Sequence, residues 1–300
     1  MTIKQILCPI DFSECSRHAA DHALATARWY GASVTALHVI PPVSSSIPPV
    51  GHSLYPPFVF TPDDLKQFRT ELDAFVRAGG QADVPLESVV IEGGVAGEIG
   101  RLAKELPADL LVMGTHGRTG FDRLLLGSIA EKMLRKAPCP LLTVPLRSPE
   151  AVPNPPLFRR IVCGIDFSPS SLRALAWAES FAEEADAELT VLHVLEPAPV
   201  AEPVVIGGPG APPYDPDAST NARRRLAQVV SEDARTYSHV LEVVIPGKPY
   251  REIVRHAAEH RADLIVLGAH GGPLGALAWG STANHVVRQA ACPVLTIHAR

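Results

Sequence analysis

No apolar run in this sequence reaches the ~18 to 20 residues that a membrane-spanning helix needs, so no membrane partner is expected. The opening, Met1-Thr2-Ile3-Lys4-Gln5-Ile6-Leu7, enters a strand-like segment directly and lacks a signal-peptide core. The five cysteines form no CxxC pair, which argues against zinc spacing and a disulfide framework, and a reducing, cytoplasmic compartment is expected. Positive charge is not in excess: 27 Lys and Arg stand against 32 Asp and Glu, a net charge of −5. DNA or RNA binding, which needs a basic face, is therefore not expected, although backbone amides can still hold a small anion. There is no Gly-Lys-Ser/Thr ending of a Walker A loop, and no GxGxxG follows the first strand-like run.

What the sequence does contain is itself, twice. Ile6-Leu7-Cys8-Pro9-Ile10-Asp11-Phe12-Ser13 returns as Ile161-Val162-Cys163-Gly164-Ile165-Asp166-Phe167-Ser168. Thr35-Ala36-Leu37-His38-Val39 returns as Thr190-Val191-Leu192-His193-Val194. Ala108 to Gly117 returns as Ala262 to Gly271, and Ala137 to Val144 as Ala290 to Ile297. Asp166 follows Asp11 by 155 residues and Cys292 follows Cys139 by 153, so the chain is a duplication that has lost a couple of residues in its second copy. A length of 300 residues and 46% apolar content suit two globular domains. We place them at 1–147 and 158–300, joined by a proline-rich, semi-rigid linker over 148–157.

In the first copy, apolar runs near 4–10, 33–39, 87–92, 109–114 and 140–145 read as strands buried on both faces. Helices alternate with them. Ser13 caps the first, whose apolar stripe includes Ala19, Ala23, Ala27 and Tyr30. Pro62 starts the second and Gly79-Gly80 ends it, and two more fall near 96–106 and 127–137. Strand–helix alternation predicts a doubly wound α/β fold, in which ligands bind beyond the carboxyl ends of the strands.

The polar and glycine residues gather at those ends. Gly114-Thr115-His116-Gly117 is followed by nine residues, then by Gly127-Ser128 entering a helix. Glycine permits close backbone approach, and a helix N-terminus offers unpaired N–H groups to an anion. Arg118 and Arg123 lie between the glycines, within reach of phosphate oxygens. On spacing alone, a phosphate cradle and a set of ordinary turns are equally good readings.

Together with the repeated blocks, these residues resemble the universal stress protein family, in its tandem form. The match runs through both halves, and Gly114, Gly117, Gly127 and Ser128 fit the family pattern Gly-x2-Gly-x9-Gly-Ser/Thr. The resemblance implies two tandem doubly wound domains, each a five-stranded parallel sheet with helices on both faces. It also implies an adenine nucleotide, ATP or ADP, and ATP ordinarily arrives with magnesium. Asp11 would approach the adenine and ribose, Val39 would line the base, and Pro9 is a further candidate contact. Met113, Gly114 and Ile129 would lie beside the nucleotide. Gly117, Gly127 and Ser128 would hold the phosphates, with Arg118 within reach. Asp166, Val194, Gly268, Gly271, Gly280, Ser281 and Thr282 are their counterparts. His116 and His270, in the same loops, read first as shaping the loop and second as polarising a phosphate or relaying a proton. Family members pair through their last strands, so an intramolecular pseudo-dimer is expected, with a further homodimer left open.

The second copy departs from the pattern. Only eight residues separate Gly271 from Gly280, and Gly272 to Trp279 carries no counterpart of Arg118 or Arg123. The second site is therefore expected to be weaker or differently occupied.

Other residues are read more plainly. His18 and His22, four apart on the first helix, fall short of a usual metal set and suit a solvated helix face. His38 and His193 lie on buried-looking strands, satisfied by hydrogen bonds. Cys8, Cys139, Cys163 and Cys292 suit buried strands, whereas Cys15, in the first helix turn, is the best candidate for a reactive thiol. Segments 41–60 and 197–218 are long loops, and Tyr55, Phe58 and Phe60 are candidates to pack over a nucleotide or against the other half. The readings that follow are an ATP-binding module, a slow ATPase without a recognisable water-activating base, and an interaction protein that nucleotide merely stabilises.

Overall fold

The inner apolar runs become strands because their neighbours cover both faces; the run near 87–92, expected to be covered likewise, lies at an edge of the sheet and buries only Val90. The computed structural model describes residues 1–42, 60–78, 83–117, 126–146, 158–196, 216–269 and 281–298. The linker, Gly79-Gly80, Tyr55, Phe58, Arg118, Arg123, His270, Gly271 and Gly280 lie outside the described residues.

The first half runs β1 (Gln5–Pro9), α1 (Glu14–Tyr30), β2 (Ser33–Ile40), α2 (Pro62–Arg77), β3 (Leu86–Glu92), α3 (Val95–Glu105), β4 (Leu110–Gly114), α4 (Ser128–Lys136) and β5 (Leu141–Val144). The second runs β6 (Arg160–Ile165), α5 (Pro169–Ala185), β7 (Glu188–Leu195), α6 (Pro216–Val229), α7 (Glu232–Tyr237), β8 (His239–Pro246), α8 (Pro249–Glu259), β9 (Leu264–Gly268), α9 (Ser281–Gln289) and β10 (Val294–Ile297). Start signals read from sequence act locally. The Ser13 side chain accepts from the Ser16 amide at the start of α1, and Gly31 closes that helix at φ 64°, a left-handed cap that glycine adopts without a Cβ penalty. Thr61 and Asp64 form a reciprocal capping box ahead of Pro62.

The strands form one sheet in the order β3-β2-β1-β4-β5-β10-β9-β6-β7-β8. Within each half all pairings are parallel, and β5 meets β10 antiparallel. Strand order reverses about β1 and again about β6, which opens a crevice at the carboxyl ends of the strands in each half. The repeated Asp109 and Asp263 fix where the first strand of each half begins. Asp109 Oδ2 accepts from the Lys4 and Gln5 amides at 2.8 and 3.0 Å, and Asp263 accepts from the Arg159 and Arg160 amides at 2.9 and 3.0 Å.

Alternation along the strands divides the interior into two cores, one on each face. Ile6 and Cys8 join the core that includes residues of α1 and α5, and Leu7 joins the core that includes residues of α3, α4, α8 and α9. Both cores cross the joint: Leu142 and Leu295 belong to the first, Leu141 and Val294 to the second. At the joint itself Thr143 and Thr296 are fully buried, and their hydroxyls donate to the carbonyls of Val294 and Leu141 at 3.1 and 3.2 Å. Helices also touch across it. Arg288 of α9 reaches Glu131 of α4 at 3.4 Å, and His298 Nε2 donates to the Leu134 carbonyl at 2.9 Å.

Candidate functional site

In the first half, the strand end after β1 is held in an unusual conformation. Phe12 sits at φ 62°, a left-handed geometry that costs about 1–2 kcal/mol for a residue with a side chain. Its ring offsets that cost by packing on His38 and Phe75, with centroids 4.8 and 5.2 Å away. The Arg17 guanidinium covers the far ring at 3.8 Å. His38 Nδ1 donates to the Ile10 carbonyl at 2.7 Å, which fixes the tautomer and ties β2 to the turn. Within this clamp the Asp11 carboxylate accepts from the Ser13 amide at 3.0 Å through Oδ1. The second half repeats the device. Phe167 has φ 62°, lies 4.7 Å from His193 and sits beneath Arg225; His193 donates to the Ile165 carbonyl at 2.7 Å; and Asp166 accepts from the Ser168 amide at 2.9 Å.

The glycines have separate reasons. A Cβ on Gly114 would stand 2.7 Å from Cys15 Sγ and 3.0 Å from the Cys15 backbone, so this glycine lets the start of α1 close on β4. Gly268 does the same against Ser170 and Ser171. A Cβ on Gly117 would meet Asp11 Oδ2 at 2.7 Å. Gly127, ahead of α4, donates its amide to the Thr115 carbonyl at 2.9 Å, and a Cβ there would stand 3.2 Å from that oxygen. These contacts bring Asp11, the turn after β4 and the start of α4 around one cleft of about 310 Å³. It is lined by the expected Pro9, Asp11, Val39, Met113, Gly114, His116, Gly117, Gly127, Ser128 and Ile129. One end is apolar and the other offers the N-terminus of α4, where backbone N–H groups and the helix dipole favour an anion. His116 Nδ1 shares a hydrogen bond with Thr115 Oγ1 at 2.9 Å, while its Nε2 is buried with no partner among the described residues.

Several lining residues were not singled out from sequence, among them Ser16, Thr115, Val95 and Ile99. Ser16 and Ile99 have counterparts, Ser171 and Ile253, that line a second cleft of about 290 Å³, so the repeat offset carries the signal. The second cleft also includes the expected Asp166, Val194, Gly268, Ser281 and Thr282, together with Glu196.

Two expectations fail. Cys15 is buried, its Sγ lies 3.4 Å from the Val144 carbonyl, and burial raises its pKa, so the helix start does not yield a poised thiolate. His22 does not face solvent: it is 6% exposed, and burial, assisted by His18, lowers its pKa to about 4. Phe60 packs against Phe68 of α2 at 5.8 Å and does not line the first cleft. The other four cysteines are buried, as expected of small apolar side chains. Among the described residues no group of three or more His, Cys, Asp or Glu could hold a metal ion, and no helix is long and apolar enough to cross a membrane.

The model of the Universal stress protein family matches residues 2–145 and again 157–298. The chain belongs to the universal stress protein family. A universal stress protein of Methanocaldococcus jannaschii is 37% identical over 142 residues, covering 47% of this chain and 81% of the relative. One of Mycobacterium tuberculosis is 32% identical over 189 residues, covering 63% of this chain and 61% of that protein, less than two thirds of its length. Among solved structures, a universal stress protein from Archaeoglobus fulgidus aligns over 98% of both chains with a TM-score of 0.67 at 21% identity, a likeness of fold.

Proposed function

We propose that this universal stress protein binds ATP in the first-half cleft and acts in stress response through nucleotide-dependent binding or assembly. The observation that carries this reading is the crowding at Gly117, where the backbone of the turn after β4 comes so near the Asp11 carboxylate that an added Cβ would have to displace it. A glycine turn that holds the backbone close, next to a helix N-terminus, suits a phosphate chain. The apolar end, with Val39 and Met113, suits a flat base. Asp11 is an acceptor for ribose hydroxyls or an exocyclic amine. Arg118, next in sequence to Gly117, adds a cation for the phosphates. Magnesium would accompany the nucleotide and add positive charge beside its phosphates.

The test is to purify the chain without added nucleotide, denature it, and identify released small molecules by mass spectrometry, followed by Mg-ATP titration of the emptied protein. About one ATP or ADP per chain supports the reading. No nucleotide released and no heat on titration would leave the glycines as packing and turn residues.

A further inference from the structure

We propose that the second-half cleft is a nucleoside site: it takes an uncharged nucleoside and rejects the triphosphate. The inference rests on the nucleotide reading of the first cleft, because it compares the two.

At the apolar end the clefts are alike. Val194, Ile253 and Leu267 line the second where Val39, Ile99 and Met113 line the first. The same flat ring is accommodated in both. Asp166 stands where Asp11 does, held by the same turn and the same histidine–phenylalanine clamp. Ser281 and Thr282 bring hydroxyls to the start of α9.

Charge separates them. Pro41 lines the first cleft at the end of β2, whereas Glu196 lines the second at the matching place after β7. The second cleft therefore faces its ligand with two carboxylates, and both are exposed. In the sequence between the glycines, the first half carries Arg118 and Arg123 beside Asp122, while residues 269–280 contain no lysine, arginine, aspartate or glutamate. Lys248 and Arg251, the cations near the start of α8, are exposed and do not line the cleft; Arg251 Nε donates to Tyr250 Oη at 3.0 Å. The N-terminus of α9 favours an anion with about half a charge, and the first turn of α9 holds no acidic residue to offset it. Asp166 has its counterpart in Asp11, so Glu196 is the added charge; with no arginine between the glycines to offset it, it opposes a multiply charged phosphate chain. Carboxylates do accept hydrogen bonds from hydroxyl and amine donors, which a nucleoside presents without a phosphate.

The experiment uses the full chain and calorimetry with two probes, Mg-ATP and adenosine, on the wild type and on Glu196→Lys, an exposed position whose change leaves the core intact. The wild type is expected to take ATP at one site, and ATP-saturated protein is expected still to bind one adenosine. Glu196→Lys is expected to raise ATP affinity at the second cleft by about tenfold or more, so that ATP now displaces that adenosine. Two ATP per wild-type chain, or no adenosine binding to the ATP-saturated wild type, would overturn the proposal. Should the wild type bind no ATP at all, the reading of the first cleft fails separately. One adenosine per chain, displaced by ATP only in Glu196→Lys, would then still support the second site, and any other adenosine result would sink it.

Discussion

Gly117 and Asp11 are in such close contact that a Cβ on the glycine would lie 2.7 Å from the carboxylate Oδ2. The obstructing atom is the tip of a side chain, so an added methyl group displaces the carboxylate rather than the backbone. Gly117→Ala is expected to leave the thermal midpoint nearly unchanged and to weaken ATP binding by roughly 10- to 100-fold, the worth of a misplaced hydrogen bond to a charged group. Calorimetric melting and Mg-ATP titration of one preparation check both halves of that statement. An unaltered affinity would remove Asp11 from the site.

Thr143 and Thr296 make mirrored hydroxyl bonds across the joint between β5 and β10, both fully buried. Valine keeps the shape and removes the donor. Each of Thr143→Val and Thr296→Val should lower unfolding free energy in urea by about 1 kcal/mol, partly offset by the methyl group gained. The two sites are neighbours, so their sum need not be additive. A stabilised double variant would show that the bonds are not net favourable.

Stability should depend on pH through His22. Its folded pKa, about 4, lies below the ordinary histidine value of 6.5 because burial disfavours the imidazolium. The unfolded chain therefore binds more protons between these values, and stability falls as pH drops from about 6.5 towards 4, by roughly 3 kcal/mol in total. His256, lowered by burial for the same reason, acts in the same direction. Urea midpoints across this range should fall less steeply in His22→Gln; identical slopes would mean that His22 is not the titrating group.

All five cysteines are buried and outside any disulfide, and burial raises the pKa of Cys8, Cys15, Cys163 and Cys292. A thiol reagent added to native protein is expected to give no rapid phase and to report five thiols once urea is present. A single fast thiol in the native state would point back to Cys15.

The duplication, the parallel strands and the crevices at their carboxyl ends are legible in the sequence because each depends on apolar patterning repeated at a fixed offset. The burial of Cys15 was legible too, since it shares a four-residue spacing with Ala19, Ala23 and Ala27, all buried on α1. A helix start lowers a thiol pKa only where the sulfur meets solvent or charge, and here it meets Gly114 and the end of β5. The left-handed Phe12 was not legible. Its cost is local, and what offsets it, the rings of His38 and Phe75, comes from elements distant in sequence. Glu196 was hidden for another reason: it lies just past the repeated block, where the counterpart Pro41 has no charge to compare.

The joint that unites the sheet also governs what the two clefts can tell each other. Among the described residues their linings share none. Yet the helices that begin at the two clefts, α4 and α9, grip one another through Glu131 and Arg288. Any message between the sites has a short mechanical route, and reciprocity requires it to carry equal free energy in both directions. In a chain that fuses two copies of one domain, whatever free energy one site passes to the other is owed back in full.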